Sequence, residues 1–246
     1  MLFRSVGDLA RGDFGPSFKS RDFTVAELLA SGLPASARLG ISAMILATLI
    51  GMSLGAVAAL RQNSHVDHAV MAVAMTGIAV PNYVVAPLLT LAFGIYLSLL
   101  PIAGWNGGAL RNMILPVTVL ALPQIAYIAR LTRGSMVEVL RANYVRTARA
   151  KGLAERVVVV RHALKAAALP VVTYLGPASA GILTGSVVVE SIFDLPGMGR
   201  YFVNGALNRD YTLVMGAVIV YASLLIALNL VVDLLYAALD PKVRYD

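Results

Sequence analysis

The sequence predicts an all-α fold, that of a polytopic helical membrane protein, on three observations. Hydrophobic residues fill 59% of its 246 positions and charged residues only 13%, against about 25% charged in an ordinary water-soluble domain. The apolar residues gather in five runs, near 35–60, 69–99, 114–132, 166–190 and 212–238. Each approaches the ~20 residues a helix needs to cross hydrocarbon at ~1.5 Å rise. One long basic stretch, RANYVRTARAKGLAERVVVVRHALKAAALP from Arg141 to Pro170, interrupts them.

That stretch sets the orientation. Arg130, Arg133, Arg141, Arg146, Arg149, Lys151, Arg156, Arg161 and Lys165 face only Glu138 and Glu155 as acids, and short loops this rich in Lys and Arg stay on the cytoplasmic side. The net charge of +7 is therefore a membrane-orientation signal and not a nucleic-acid one, because its excess lies in one loop between apolar runs. Cysteine is absent, which excludes disulfides, thiolate metal sites and a thiol nucleophile. His65 and His68 stand in a short polar loop without Cys or carboxylate clusters and read as solvated residues, so no metal site and no cofactor is expected. No GxxxxGK[ST] stretch occurs, so any nucleotide that drives this protein is hydrolysed on another chain.

Taken in order, residues 1–33 are polar, mixed in charge and punctuated by Gly7, Gly12, Gly15 and Pro16, which predicts loops and short turns. The first span follows, then the polar connection RQNSHVDH (61–68). The second span contains Pro81 and Pro87 and is expected to kink or break there. With the basic loop 134–165 inside, counting back places 100–112 outside, 61–68 inside and 1–33 outside as an external segment. Counting forward places 191–211 outside and the tail 240–246 inside, with the permeating body of the protein in 34–239. Five spans with an external, charged N-terminus are most simply completed by one further spanning helix ahead of Met1.

Polar residues within the spans are few, and at membrane depth such groups face other helices or a water-filled path. Asn82, Gln124, Thr184 and Ser186 are the candidates for a pathway. For the two hydroxyls a bond to a backbone carbonyl is the plainer reading. Asp233, near the inner end of the last span, reads as structural.

Within the basic loop, Val137, Leu140, Tyr144 and Ala148 recur at spacings of three and four, predicting one helical stripe, with Arg141, Arg146 and Arg149 on another arc. Gly152 ends that helix where the chain must turn at positive φ. A second helical stretch from about Ala154 leads to Pro170. An element of this kind fits a groove on another protein, or lies against anionic lipid headgroups.

The run TARAKG (147–152) with RHALKAAALP (161–170) resembles the EAA loop of ABC-importer permeases, and more narrowly of the peptide/nickel branch, the dipeptide- and oligopeptide-type permeases. Arg146-Thr147-Ala148 stands where the family name-motif has Glu-Ala-Ala. GDFGPSF (12–18), ELLASGLPASARL (27–39), GMSLGAVAAL (51–60), PNYVVAPLL (81–89) and VVVESIFDLPGMGRYFVNGALNRDY (187–211) are similar to other stretches of that branch. The resemblance implies a type I ABC importer permease fold with five of a usual six spans, in a multi-pass protein of the cell inner membrane. It implies as partners a second permease subunit (by the family's habit a paralogue), two ABC ATPase subunits and an external solute-binding protein. ATP hydrolysis would lie on those separate subunits. It further implies that Leu140, Arg141, Tyr144, Arg146, Thr147, Ala148, Arg149 and Gly152 form the ATPase-coupling element. Arg146 and Arg149 would bond to ATPase acceptors, and the apolar stripe would pack in a cleft. Peptide is expected over nickel or another small solute, because no His or carboxylate cluster lies in the spans. A secondary transporter, the reading from a different class, would show inverted repeats and paired midplane acids. The outer SIFDLPGMGR reads equally as a re-entrant cap or as a short helix packed on the bundle.

Overall fold

The computed structural model describes residues 12–19 and 22–239, without the side chains at 180, 183–185 and 235–239. Among the described residues regular structure is helical, apart from one antiparallel bridge between Pro16 and Thr24. The helices are α1 (Val25–Leu60), α2 (His65–Ala79), α3 (Asn82–Tyr96, closing on a π turn), α4 (Leu110–Val139) and α5 (Asn143–Ala150). They continue as α6 (Glu155–Ala167, with a π turn over Val158–Ala163), α7 (Leu169–Ile192), α8 (Met198–Leu207) and α9 (Tyr211–Leu239). Three are long and apolar enough on their own to cross a membrane, and five candidates result when α2 with α3, and α6 with the start of α7, each count as one broken span.

One boundary differs from the sequence reading. α1 begins at Val25, so residues 25–33, expected in a loop, are helical. A reciprocal capping box starts it early: the Thr24 N–H donates to Glu27 Oε2 at 2.8 Å and the Glu27 N–H to Thr24 Oγ1 at 3.2 Å. Pro34, just past the end of the expected loop, sits inside this helix. The second apolar run breaks ahead of Pro81, as expected, at Val80, whose extended backbone (φ −99°, ψ 118°) is what a following proline imposes.

The chain forms two compact units. The first comprises Met1–Ser42, Asn82–Leu120 and Ala180–Ile226. Its core joins Val25 and Leu29 of α1 to Met198 of α8 and to Leu213 and Ala217 of α9, with Phe14, Tyr201 and Phe202 against them. Asp210 caps α9, accepting from the Leu213 N–H at 3.2 Å and from Thr212 Oγ1 at 2.9 Å. It also accepts from Ser17 Oγ and from the Lys19 N–H at 3.3 Å, tying residues 17–19 to that cap.

The second unit comprises Ala43–Pro81, Ala121–Ser179 and Ala227–Asp246. Here glycine sets the packing. A Cβ on Gly55 of α1 would stand 2.5 Å from the Ala129 carbonyl oxygen and 2.6 Å from Thr132 Cβ of α4, and one on Gly77 of α2 would stand 2.5 Å from the Leu122 carbonyl oxygen. Backbones that approach this closely are what small residues permit between helices in lipid. Ala74, Ala126 and Ala129 fill the same seam. At its polar end Arg133 of α4 grips Asp67 of α2 in a two-point pair, Nε to Oδ1 and Nη2 to Oδ2, both 2.6 Å. Asp67 is 1% exposed and also accepts from the Asn63 N–H at 2.9 Å, while its own N–H donates to the cap residue Ser64. The Arg133 guanidinium, helped by the Asn63 amide, holds the Asp67 carboxyl down to about 2.

Three outcomes follow for stability, each measured by thermal unfolding in detergent. Gly55→Val forces α1 from α4 and is expected to destabilise by about 1–3 kcal/mol or more. Gly134→Ala, where nothing lies within 4 Å of the new Cβ, should be stabilising by up to ~1 kcal/mol. Asp67 ionises far below the ordinary ~3.9, so its contribution is complete above pH ~4 and is lost as pH falls towards 2. Asp67→Asn should remove that acid limb and lower stability at neutral pH, towards the lower end of the ~3–5 kcal/mol for breaking a buried pair, because Arg133 keeps 28% of its side chain exposed.

Candidate functional site

The single helical stripe expected across residues 137–148 is interrupted. α4 ends at Val139, and Leu140, Arg141 and Ala142 make a turn in which the Arg141 N–H donates to the Glu138 carbonyl at 3.1 Å and the Ala142 N–H to the Val139 carbonyl at 3.0 Å. Ala142 is extended (φ −67°, ψ 148°), and α5 starts afresh at Asn143. Two apolar clusters, joined only by the half-buried Val139, account for the turn. Val137 and Leu140 pack with Ala59, Met136, Ala163 and Ala167, whereas Val145 and Ala148 are buried with Val158 and Val139. A straight helix continuing α4 would carry one group away as it seated the other. The buried face of α5 is therefore Val145 and Ala148, not Tyr144 and Ala148.

Gly152 ends α5 as expected. Its φ is +75°, the Gly152 N–H donates to the Arg149 carbonyl at 2.9 Å, and the Leu153 N–H reaches the Ala148 carbonyl at 3.4 Å, a closure of the Schellman kind. Arg149 braces the turn by a two-point bond to Glu155 at the start of α6, Nη2 to Oε1 at 2.6 Å and Nε to Oε2 at 3.1 Å. That guanidinium lowers the Glu155 pKa and has its own raised in return.

The coupling candidates thus sort by surroundings. Ala148 is 5% exposed and turned inward, Leu140 is half-buried in the first cluster, and Arg149 is engaged with Glu155. Arg141 is exposed and donates to Gln62 Oε1 at 3.2 Å. Tyr144, 47% exposed, lies with Arg146 and Thr147 on the outer surface of α5. Thr147 Oγ1 bonds back to the Asn143 carbonyl at 3.0 Å.

The pathway candidates do not form one group. Asn82 opens α3 and is half-buried. Gln124 belongs to the second unit and accepts from the Tyr174 hydroxyl at 2.7 Å. Tyr174 lies against Tyr127 with ring centroids 5.7 Å apart, and the Arg130 guanidinium stands 5.3 Å over the Tyr127 ring. The side chain of Thr184 lies outside the described residues. Ser186 is buried in the first unit and donates to Glu190 Oε1 at 2.6 Å.

Glu190 is the residue that sequence reasoning missed. Fully buried, it also accepts from Ser36 Oγ at 2.6 Å and from the Gly199 N–H at 2.9 Å, while Ser36 Oγ in turn accepts the Met198 N–H at 2.8 Å. The acid of VVVES thus holds the Gly199 N–H in the first turn of α8, and that of Met198 through Ser36, where the helix dipole favours negative charge. Gly197 and Gly199 leave the room it needs, since a Cβ on either would run into its carboxylate. The signal was present as an acid shortly ahead of two glycines flanking a helix start. It also shapes the outer loop: Phe193, Leu195 and Met198 are buried, in a segment that leaves α7 at Ile192, turns over 193–197 and enters α8 at Met198.

Comparison with known proteins places this geometry. Residues 51–245 match the family described as binding-protein-dependent transport system inner membrane component. The chain is 57% identical over 243 residues to the oligopeptide transport system permease protein OppB of Salmonella typhimurium, covering 99% of this chain and 79% of that protein. It is 47% identical over 232 residues to the dipeptide transport system permease protein DppB of Bacillus subtilis, covering 94% and 75%. Among solved structures, an inward-facing form of the MetNI methionine ABC transporter aligns with a TM-score of 0.73 at 14% identity, over 87% of this chain and 96% of that one. The same architecture thus recurs at an identity that speaks for the fold alone. The chain belongs to the family of binding-protein-dependent transport system inner membrane components, as a multi-pass permease subunit of an ABC importer.

Proposed function

We propose that this permease forms half of the path by which di- and oligopeptides cross the inner membrane, and that α5 is where an ATPase subunit drives it. The observation that carries the substrate class is the 57% identity to an oligopeptide permease across 99% of the chain. Membership of a binding-protein-dependent family supports an external binding protein and ATPase as partners. In the arrangement proposed, two ATPases sit beneath two permeases, the second a paralogue. Residues 1–33 lie outside, the loop 134–165 and the tail 240–246 inside, and 34–239 carries the path; of these, 1–11, 20–21 and the tail lie outside the described residues.

The physics of α5 supports the coupling role. It is short, closed at its C-terminus by Gly152, and seated by Val145 and Ala148 on α6 and on the end of α4. A push on it is therefore passed to the spans and not lost in a loose loop. It leaves Tyr144, Arg146 and Thr147 outward, an aromatic and a cation suited to a cleft lined with carboxylates and carbonyls. ATP binding would draw the two α5 elements together and bias the spans between inward- and outward-open states. Asn82, Gln124, Thr184 and Ser186 remain the proposed pathway residues, and the Gln124–Tyr174 bond supports placing the second of them at a polar lining. Peptide is preferred to nickel because the oligopeptide and dipeptide permeases are the relatives this chain matches.

Three variants test the coupling. Arg146→Glu changes an exposed side chain, so the protein should insert normally while ATP-driven uptake of a labelled tripeptide collapses. Gly152→Ala has room for its Cβ but strains a left-handed residue by about 1–2 kcal/mol, and uptake should fall around tenfold. A photo-crosslinker at Tyr144 should capture an ATPase subunit. Normal uptake by Arg146→Glu at normal expression, or capture of lipid alone from Tyr144, would remove α5 from the coupling role.

A further inference from the structure

The Arg141–Pro170 stretch carries more positive charge than α5 uses, and the surplus lies on α6. Arg156, Arg161 and Lys165 are exposed, and none takes part in an ion pair among the described residues, where the acid nearest in sequence, Glu155, is bound to Arg149. Beside them, Leu153 in the turn just ahead of α6, and Val157 and Val160 on it, expose 40%, 39% and 57% of their surface. The opposite side of the same helix is buried: Val158 beneath α5, and Ala163 and Ala167 against Ala59 and Met136. α6 therefore has one face consumed by the protein and one that is at once apolar and cationic.

Its place along the chain says what that outer face meets. Lys165 and Arg161 stand just ahead of Leu169, where α7 begins its apolar run after a bend of 48°. A helix joined so closely to a span lies within the interfacial zone, where Lys and Arg reach headgroup phosphates and apolar side chains reach the acyl boundary. Basic residues just cytoplasmic of a span each draw anionic lipid about fivefold. A protein cleft would be expected to meet exposed cations with fixed carboxylates. A leaflet supplies phosphate at every lateral position, which suits three cations spread along the whole length of one helix.

We infer that the outer face of α6 is a docking surface for anionic phospholipid headgroups of the inner leaflet, with Arg156, Arg161 and Lys165 taking phosphate and Leu153, Val157 and Val160 immersed beside it. This rests on the cytoplasmic placement of the loop but not on the coupling role of α5. It divides the loop between two partners, an ATPase on α5 and lipid on α6.

The test exploits the absence of native cysteine. A Val160→Cys variant, carrying an environment-sensitive fluorophore and assembled with its partner subunits, is reconstituted in phosphatidylcholine vesicles. Acyl-brominated phosphatidylglycerol or acyl-brominated phosphatidylcholine is then added as quencher. Phosphatidylglycerol should quench several-fold more strongly, the preference should shrink in high salt, and it should vanish when Arg156, Arg161 and Lys165 are all changed to Gln. Those side chains are exposed, and retained uptake in the triple variant confirms that it folds. Equal quenching by the two lipids, or a preference unmoved by the triple change, overturns the inference. So does protection of the fluorophore from both lipids whenever ATPase subunits are bound. In intact cells, labelling of Val160→Cys by an impermeant thiol reagent from outside would sink the loop's placement as well, whereas labelling only from inside without lipid preference would sink this inference alone.

Discussion

A helix leaves its first N–H groups without partners inside itself, and in hydrocarbon no water replaces them, at a cost of several kcal/mol for each group left bare. This chain starts helices repeatedly in and around a membrane, and side-chain oxygens meet the starts of α1, α2, α8 and α9. Thr24 and Glu27 close the entry to α1. Ser64 and Asp67 close that of α2, and Asp210 that of α9. Glu190 reaches from α7 to the amides of α8. Carboxylates are scarce in a chain with 13 Asp and Glu in all, and these four are placed where a helix dipole presents its positive end. Three of them also tie distant segments together. Asp67 binds Arg133, Asp210 anchors residues 17–19, and Glu190 gathers Ser36 and Ser186.

Once the ends are closed, close approach does the rest. Lipid tails are as apolar as leucine, so burying leucine between helices gains little, and contact area at short range must hold the spans. In the second unit Gly55 and Gly77 set backbone against backbone, and alanines continue the seam. Gly176 of α7 likewise receives Asn229 and Val232 of α9, its missing Cβ replaced by their side chains. Seams of this kind transmit displacement because close-packed interiors have low compressibility.

Much of this was legible in the sequence, and what was not has a common cause. The spans showed because apolar length is a local property, the break at Pro81 because proline acts on its neighbour, and the end of α5 because Gly152 acts on its own φ. The early start of α1 was hidden by polar Glu27 and Ser31 and by Pro34, which look like loop until Thr24 and Glu27 are seen to bond each other. The turn between α4 and α5 was hidden because Val137, Leu140, Tyr144 and Ala148 keep helical spacing on paper. Only the positions of Ala59 and Val158, elsewhere along the chain, divide them into two clusters. Glu190 and the Gln124–Tyr174 bond were invisible for the same reason: their partners lie 154 and 50 residues away. The residues proposed for coupling and for the pathway take their surroundings from distant parts of the chain, and periodicity is a short-range signal.

The turn at Leu140–Ala142 bears on the coupling role proposed for α5. Were α5 a smooth continuation of α4, a force on Tyr144 would act along a single lever and bend it at its weakest point. Instead α5 is a separate block, wedged between Val139 and Val158 and locked at its far end by Arg149 and Glu155. A push on it therefore reaches α4 and α6 at once. From α4 it meets Asp67 through Arg133 and Gly55 through Ala129, and from α6 it meets Ala59 through Ala163. The second-unit parts of α1 and α4 are thereby loaded together with α2 and α6, which is the mechanical condition that the coupling role proposed for α5 requires.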